Sequence, residues 1–416
     1  MFYREFLNKK FFINFLFTIF FSIFIYYLIS SKFIYFNFIP PMVKDGAIKL
    51  FADWSVIINA NICDNKGFDV FIDNPCDLWG RRHVYGKILL YLPFIDNNKV
   101  FYLLVLPLII NILFLFIIIN LIDYDLIKKF YISLVFIISP AVLLSIDRAN
   151  IDILIFLTMV LIAKSKNYFV NNLLIFISTL SKFYPVFLSF LFIFSSNLKK
   201  IVFSYIIFLF LIFLILFFQQ DELSKIFLSK QQFSASGGIF EFSFNGLLIT
   251  FNNLINSQYN EVLNYFIFLT IILILVFFNY YVTFPLFKNT KELINIFNDN
   301  VYENRIFILS ISVIIFCYFL FSNYLYREIF FLGLIPYIIK IKQDNNKKNW
   351  FLIILIFKFL ITSLCIYTIR KNFLTEFHIS FFGLKHLIDF NLILILLIIF
   401  FTSLYNVLKL RFLKLH

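Results

Sequence analysis

The side chains able to do chemistry lie in short polar interruptions of long apolar runs. Residues 45–61 read D-G-A-I-K-L-F-A-D-W-S-V-I-I-N-A-N. Ala47, Leu50, Phe51, Trp54, Ile57 and Ile58 recur at the i, i+3, i+4, i+7 spacing of one helical face. The spacing predicts a helix over 45–61, with Asp45 at its N-cap and Lys49 and Asp53 on the polar face. Lying along the outer membrane interface, it holds Asp53 at the boundary between lipid and water. The plain alternative is a surface pair of Asp53 with Lys49, worth roughly 0.3 kcal/mol.

Downstream, R-R-H-V-Y-G places Arg81, Arg82 and His83 together, suited either to a phosphate or to anionic lipid headgroups. In S-I-D-R-A-N-I-D (145–152), Arg148 and Asp152 are four residues apart and so share a helical face, the plain reading being a solvated turn with one ion pair. Asn150 lies between them, at the membrane's outer edge. S-K-F-Y-P (181–185) interrupts an apolar run: Lys182 either snorkels to the interface or serves a buried anion site beside the Pro185 break, with Tyr184 adjacent. S-N-Y-L-Y-R-E (322–328) sets Tyr324, Tyr326, Arg327 and Glu328 at a span end, where the tyrosines read as interface anchors. The glycine-rich stretch 234–246 contains Asn245. An Asp123-Tyr124-Asp125 triplet imitates a metal motif in a tiny inner loop and reads as chance, and no nucleotide-binding or metalloprotease motif occurs.

The elements that must carry these residues are membrane helices. Of 416 residues 62% are hydrophobic and 14% charged, far from a soluble domain. Lipid forces each spanning segment to satisfy its own backbone, which leaves an all-α polytopic membrane protein. Apolar runs near 11–30, 100–122, 130–146, 151–163, 168–181, 184–196, 201–218, 262–286, 306–321, 329–339, 350–369 and 390–408 predict ten to thirteen spans in one integral membrane domain, 1–416. Outer loops are expected over 31–99, 219–261 and 370–389. The first span is too long for a signal h-region and reads as a retained anchor. With both termini cytosolic, the net charge of +13 falls almost wholly on the inner side, which argues against a nucleic-acid partner. Lys358 is the one clear charge inside a span. Cys317 and Cys365 read as buried apolar side chains, while Cys63 and Cys76 share the first outer loop and can pair in an oxidising compartment.

Three stretches carry a family resemblance: A-D-W followed by Ala60 and G-F-D-V-F, then R-A-N-I-D at 148–152, then S-K-F-Y-P at 181–185. In order and separation they resemble the polyprenyl-phosphate-dependent glycosyltransferases of GT-C fold, most closely glycosyltransferase family 87, a mannosyltransferase-like group. Tyr326-Arg327 echoes that family's later outer-end arginine, whereas at 85–93 only Tyr91 and Pro93 stand where the family carries a tyrosine and double-proline run. The resemblance implies a GT-C-like bundle in a bacterial inner membrane. It implies a hexose moved from a polyprenyl-phosphate donor to a lipid or glycan acceptor on the outer face, with inversion and without metal or cofactor. By that analogy Asp53 is the general base, and Arg148, Lys182 and Arg327 hold the donor phosphate. Arg81, Arg82, His83, Asn150, Asp152, Tyr184, Asn245 and Tyr326 are the candidates for binding the substrates, with membrane lipids as surroundings. A transporter or lipid-linked glycan flippase, an oligosaccharide polymerase and a membrane scaffold are the competing readings.

Overall fold

The computed structural model describes residues 9–31, 50–93, 95, 98–194, 198–233, 241–255, 270, 273, 277, 301–320, 325–345, 350–370 and 375–415. Among these the chain is helical, with no strand. Helix α1 (Lys9–Ser30) packs on α3 (Leu106–Leu121), and the short α2 (Ala52–Asp64) lies between them in sequence. Then follow α4 (Leu126–Ile137), α5 (Pro140–Arg148), α6 (Ile151–Lys164), α7 (Tyr168–Ser181), a 3-10 segment (Tyr184–Phe194), α8 (Leu198–Phe218), α9 (Gln220–Phe233) and α10 (Phe244–Ile255). The chain continues through α11 (Tyr302–Leu320), a second 3-10 segment (Leu325–Leu334), α12 (Ile335–Asn345), α13 (Trp350–Arg370) and α14 (Thr375–Leu415).

Five of these stretches are long and apolar enough to cross a membrane: Lys10–Ser30, Phe101–Leu121, Ile201–Phe218, Tyr302–Leu320 and Gly383–Lys409. A sixth is formed if α4 and α5, bent by 66° where Ser139 meets Pro140, make one broken span. The protein is thus an all-α, multi-pass membrane protein with fewer full-length spans among the described residues than the ten to thirteen expected. The reason is length. Helices α6 and α7 have 14 residues each, about 21 Å against a hydrocarbon core of about 30 Å. The runs at 184–196 and 329–339 become 3-10 segments in whole or in part. The expected span at 262–286 falls almost wholly outside the described residues. The stretch 370–389, expected as a loop, is helical from Thr375 and continuous with the last span.

The core is organised around α11, which packs against both 3-10 segments, α6, α12 and α14. Its Phe316 stacks on Phe187 and Phe190 of the first 3-10 segment, with centroids 4.2 and 4.9 Å apart. Phe156 of α6 meets Phe114 of α3 and Phe330 of the second 3-10 segment at 5.4 and 6.2 Å. Polar side chains close the helix ends within this apolar mass. Arg305, at the start of α11, donates to the carbonyls of Ile162, Ala163 and Ser165 and so satisfies the C-terminus of α6.

Outside the bundle, the segment after α2 is stapled by a Cys63–Cys76 disulfide, with Cα atoms 5.8 Å apart. Helix α9 lies across it. Ile226 is buried among Ala60, Cys63, Val70, Phe71 and Leu90, flanked by the ion pairs Lys87–Glu222 (2.8 Å) and Lys225–Asp69 (2.6 Å). The two segments expected as the first two outer loops therefore lie on the same side of the molecule.

Candidate functional site

Two unusual backbone turns assemble the site. Phe51 (φ 61°) and Ala149 (φ 44°) are the non-glycine residues with positive φ among the described residues. Each conformation costs an L-residue of order 1–2 kcal/mol. Phe51 is the N-cap of α2 and donates its N–H to the carbonyl of Asp147 at 2.6 Å. Ala149 ends α5 and turns the chain into α6. The first turn of α2, the C-terminus of α5 and the N-terminus of α6 are thereby brought together. Charge at each end suits the helix dipole: Asp53 and Asp152 sit in first turns and Arg148 in a last turn.

Asp53 is the centre of this meeting point. Its Oδ2 accepts from the Asn150 amide at 2.8 Å, and its Oδ1 faces Arg148 and Arg81 at 3.4 and 3.5 Å. Asn150 also caps α6, its Oδ1 accepting from the N–H of Asp152 at 3.0 Å. Asp152 anchors a second half of the network. Its Oδ1 accepts from Lys182 and, at 2.8 Å, from the Tyr184 hydroxyl, and its Oδ2 lies 3.7 Å from Arg327 Nε. Lys182 Nζ also donates to Asn150 at 3.4 Å and sits over the rings of Tyr85, Tyr326 and Tyr184 at 5.4–5.8 Å. The Arg327 guanidinium stacks 4.7 Å above Tyr184.

Tyr85 reaches Lys182 because of Gly86. A Cβ at that position would fall 1.6 Å from the Leu180 carbonyl oxygen, so only glycine lets the loop dock on the end of α7. The Gly86 N–H donates to Ser181 O at 2.9 Å. Burial, and secondarily the charge of Asp53, push the Tyr85 hydroxyl well above its ordinary pKa. Arg81 is held from behind. Asp77, directly after the disulfide cysteine Cys76, takes Arg81 Nε and Nη2 at 3.1 and 3.2 Å, and Trp79 stacks against the guanidinium at 4.5 Å. Burial alone would raise the Asp77 carboxyl, but its hydrogen bonds and charge contact with Arg81 outweigh that and lower it.

Of the residues expected at the site, Asp53, Arg81, Arg148, Asn150, Asp152, Lys182, Tyr184, Tyr326 and Arg327 converge. Three do not. Arg82 is half-buried outside this network, and Asn245 is exposed on the first turn of α10. His83 is fully buried, its ring edge-on to Phe71 and Tyr85 and its Nε2 3.4 Å from Gly86 O. Burial lowers its pKa to about 4, so at neutral pH the ring is uncharged, and it packs outside the Asp53 network.

Pairings also differ from those expected. Helix α2 starts at Ala52 and is buried on nearly every face, not laid on an interface with an open polar side. Asp45, Lys49, residues 234–240 and Tyr324 lie outside the described residues. Arg148 and Asp152 do not pair, because the Ala149 turn breaks the helix between them and each finds its partner on another element. The triplet carboxylates are ordinary exposed pairs, Asp123 with Lys10 and Asp125 with Lys128.

Asp77, Trp79 and Tyr85 join the site without having been expected there, although the i, i+4 spacing of Asp77 and Arg81 is a signal that the sequence carries. A second charged cluster is equally unexpected. Lys358 is not a solitary charge: it contacts Glu328 and Asp389, and Lys385 contacts the same two carboxylates.

Chemically, the site offers a carboxylate accessible enough to meet a substrate, since the Asp53 side chain is 14% exposed while that of Asp152 is 0%. Around it, Arg148 Nη2 and Arg327 Nε have no hydrogen-bond acceptor among the described residues. Buried guanidinium groups with donors left over, close to a partly exposed carboxylate, suit an anionic substrate that carries a hydroxyl-bearing partner. Comparison with models of protein families, with curated proteins and with solved structures finds no match.

Proposed function

We propose that the protein is a membrane glycosyltransferase of the GT-C type, moving a mannose-like hexose from a polyprenyl-phosphate donor to a lipid or glycan acceptor. Asp53 is the general base: it takes the proton of the acceptor hydroxyl as that oxygen attacks the anomeric carbon. The bond to the lipid phosphate breaks with inversion, and the departing oxygen's negative charge develops against Arg148, Lys182 and Arg327. Asp152 and Asn150 orient these groups, and Arg81 with Tyr326 and Tyr184 lines the approach. A positioned base is worth roughly 10²–10⁴ in rate, and fixed cations aimed at developing phosphate charge add an electrostatic contribution of similar kind.

The observation that carries this reading is the partly exposed Asp53 carboxylate paired with Arg148 and joined through Asn150 to the Asp152, Lys182 and Arg327 cluster. In this reading the bundle sits in a bacterial inner membrane with both termini cytosolic and the site outside. The Cys63–Cys76 disulfide, on the segment that delivers Arg81, supports an oxidising outer side.

A second reading, a transporter of lipid-linked glycans, draws on the buried charges at Glu328, Lys358, Lys385 and Asp389. That group is closed on itself, however, each carboxylate in contact with both ammonium groups. The deciding experiment incubates the purified protein with radiolabelled polyprenyl-phosphate sugars and extracted glycolipids. Label passing to an acceptor is expected. Translocation of intact labelled donor across proteoliposomes, with no transfer from any donor, overturns the reading in favour of transport.

A further inference from the structure

The two charged clusters meet at adjacent residues. Arg327 and Glu328 lie on the second 3-10 segment, where three residues make a turn and neighbouring side chains diverge by about 120°. Arg327 points to Asp152 and Tyr184, in the site. Glu328 points the other way, into a ring of alternating charge. Its carboxylate meets Lys358 of α13 and, at 3.3 Å, Lys385 of α14; Asp389 of α14 meets the same lysines at 3.0 and 2.8 Å. All four side chains are buried. Phe242, Phe331 and Phe359 pack over Lys358 at 5.0–5.8 Å, and Lys385 also donates to the Glu241 carbonyl at 2.9 Å.

Such a ring is poor evidence of stability, because apolar residues of similar volume often serve as well or better. What it supplies is direction. An apolar contact tolerates sliding, whereas a shift of this segment strands a buried charge. Farther along, the segment has a second stop at Gly333, where a Cβ would fall 2.0 Å from Ser310 Oγ and 3.0 Å from the Met159 methyl. Held at both points, the segment has one register against α6 and α11.

We propose that Glu328, gripped by Lys358 and Lys385, is a positioning residue: the buried ring fixes the 3-10 segment so that Arg327 keeps its place beside Asp152 and faces the substrate anion. This rests on the assignment of Arg327 as a donor-phosphate ligand. The ring itself contacts no substrate and moves no proton. Its partners on α13 and α14 tie the last two helices to the geometry of the site.

The test uses the double variant Glu328→Gln with Lys358→Met, which leaves one lysine and one carboxylate and so keeps the ring neutral. The readout is twofold: the kinetics of sugar transfer, and alkylation of Cys317 by N-ethylmaleimide followed by mass spectrometry. Cys317 Sγ lies 4.0 Å from Arg327 Nη1 and is buried, so its access reports displacement of that side chain independently of activity. A folded double variant is expected to show a donor KM raised about tenfold with acceptor KM unchanged, and Cys317 alkylated about tenfold faster. Arg327→Lys is expected to reproduce the kinetic pattern. A folded double variant with parental donor KM and parental Cys317 reactivity overturns the proposal. If the double variant does not fold, Lys385→Arg, which keeps every charge and changes only geometry, takes its place: a raised donor KM with faster Cys317 alkylation supports the proposal, and parental values of both overturn it. If the parent protein transfers no sugar, the functional reading fails, and Cys317 reactivity alone decides the positioning role.

Discussion

Two charged clusters flank one dipeptide, and they differ in closure. Around Asp53 the network reaches the surface: the Asp53 side chain is 14% exposed and that of its partner Arg81 24%. Around Glu328 each carboxylate pairs with both ammonium groups, and all four side chains are buried to 3% exposure or less in an apolar shell. The residue types are nearly the same. Their difference indicates that a charge network is a candidate for chemistry when a substrate can reach part of it, and a candidate for registration when it is wholly buried and paired within itself.

The sharpest way to break this comparison is Asp53→Asn. Turnover is expected to fall by roughly 10²–10⁴, because the amide cannot accept the proton. Stability should fall by about 1–3 kcal/mol, less than breaking a fully buried pair costs, since Arg81 keeps Asp77 and Arg148 keeps Asp147 as a second carboxylate. Retained transfer in this variant removes the carboxylate mechanism. Asp389→Asn should behave in the opposite way. It leaves two buried ammonium groups with one carboxylate and is expected to cost about 3–5 kcal/mol in unfolding free energy. A thermal midpoint close to the parent's would show that the ring is not closed in solution.

Acid should find a different weak point. His83 has a pKa of about 4 in the fold against 6.5 when unfolded, so between those values the unfolded chain binds the extra proton. Stability is therefore full above pH 6.5 and declines toward pH 4, by at most about 3 kcal/mol. His83→Gln should flatten that part of a melting-temperature profile while transfer at pH 7.5 persists. An undiminished pH slope would mean that the histidine is not buried in its neutral form. Smallest is the effect at the turn between Arg148 and Asn150. Ala149→Val, a β-branched residue forced to φ 44°, should lose about 2 kcal/mol, while Ala149→Gly should stay within about 1 kcal/mol of the parent. Equal melting of the two variants would mean that the left-handed turn relaxes.

Much of the site was legible because charged residues are expensive in a membrane protein and therefore sparse. Asp53, Arg148, Asn150, Asp152, Lys182 and Arg327 stand out against apolar runs, and they converge. Tyr85 and the destination of the Asp77–Arg81 pair were illegible for a different reason. Their roles depend on which loop crosses which helix end, and that is set by a glycine contact with Leu180 and a disulfide 13 residues wide. The ring was illegible because Lys385 and Asp389 lie where hydropathy alone reads a loop, and only the continuous α14 carries them inside.

The sequence by itself determined the class of protein: apolar runs that must satisfy their own backbone, broken by polar segments holding the reactive side chains. It also determined which residues were candidates, since few ionisable groups stand near the apolar segments. Only the tertiary structure decided partnership and role. Spacing pairs Arg148 with Asp152, but one left-handed residue redirects them to Asp53 and to Lys182. Burial turned His83 from a candidate ligand into a neutral packing group. Which charge meets which is a matter of distance in space, and the Coulomb and desolvation energies that set a residue's role depend on that distance rather than on separation along the chain.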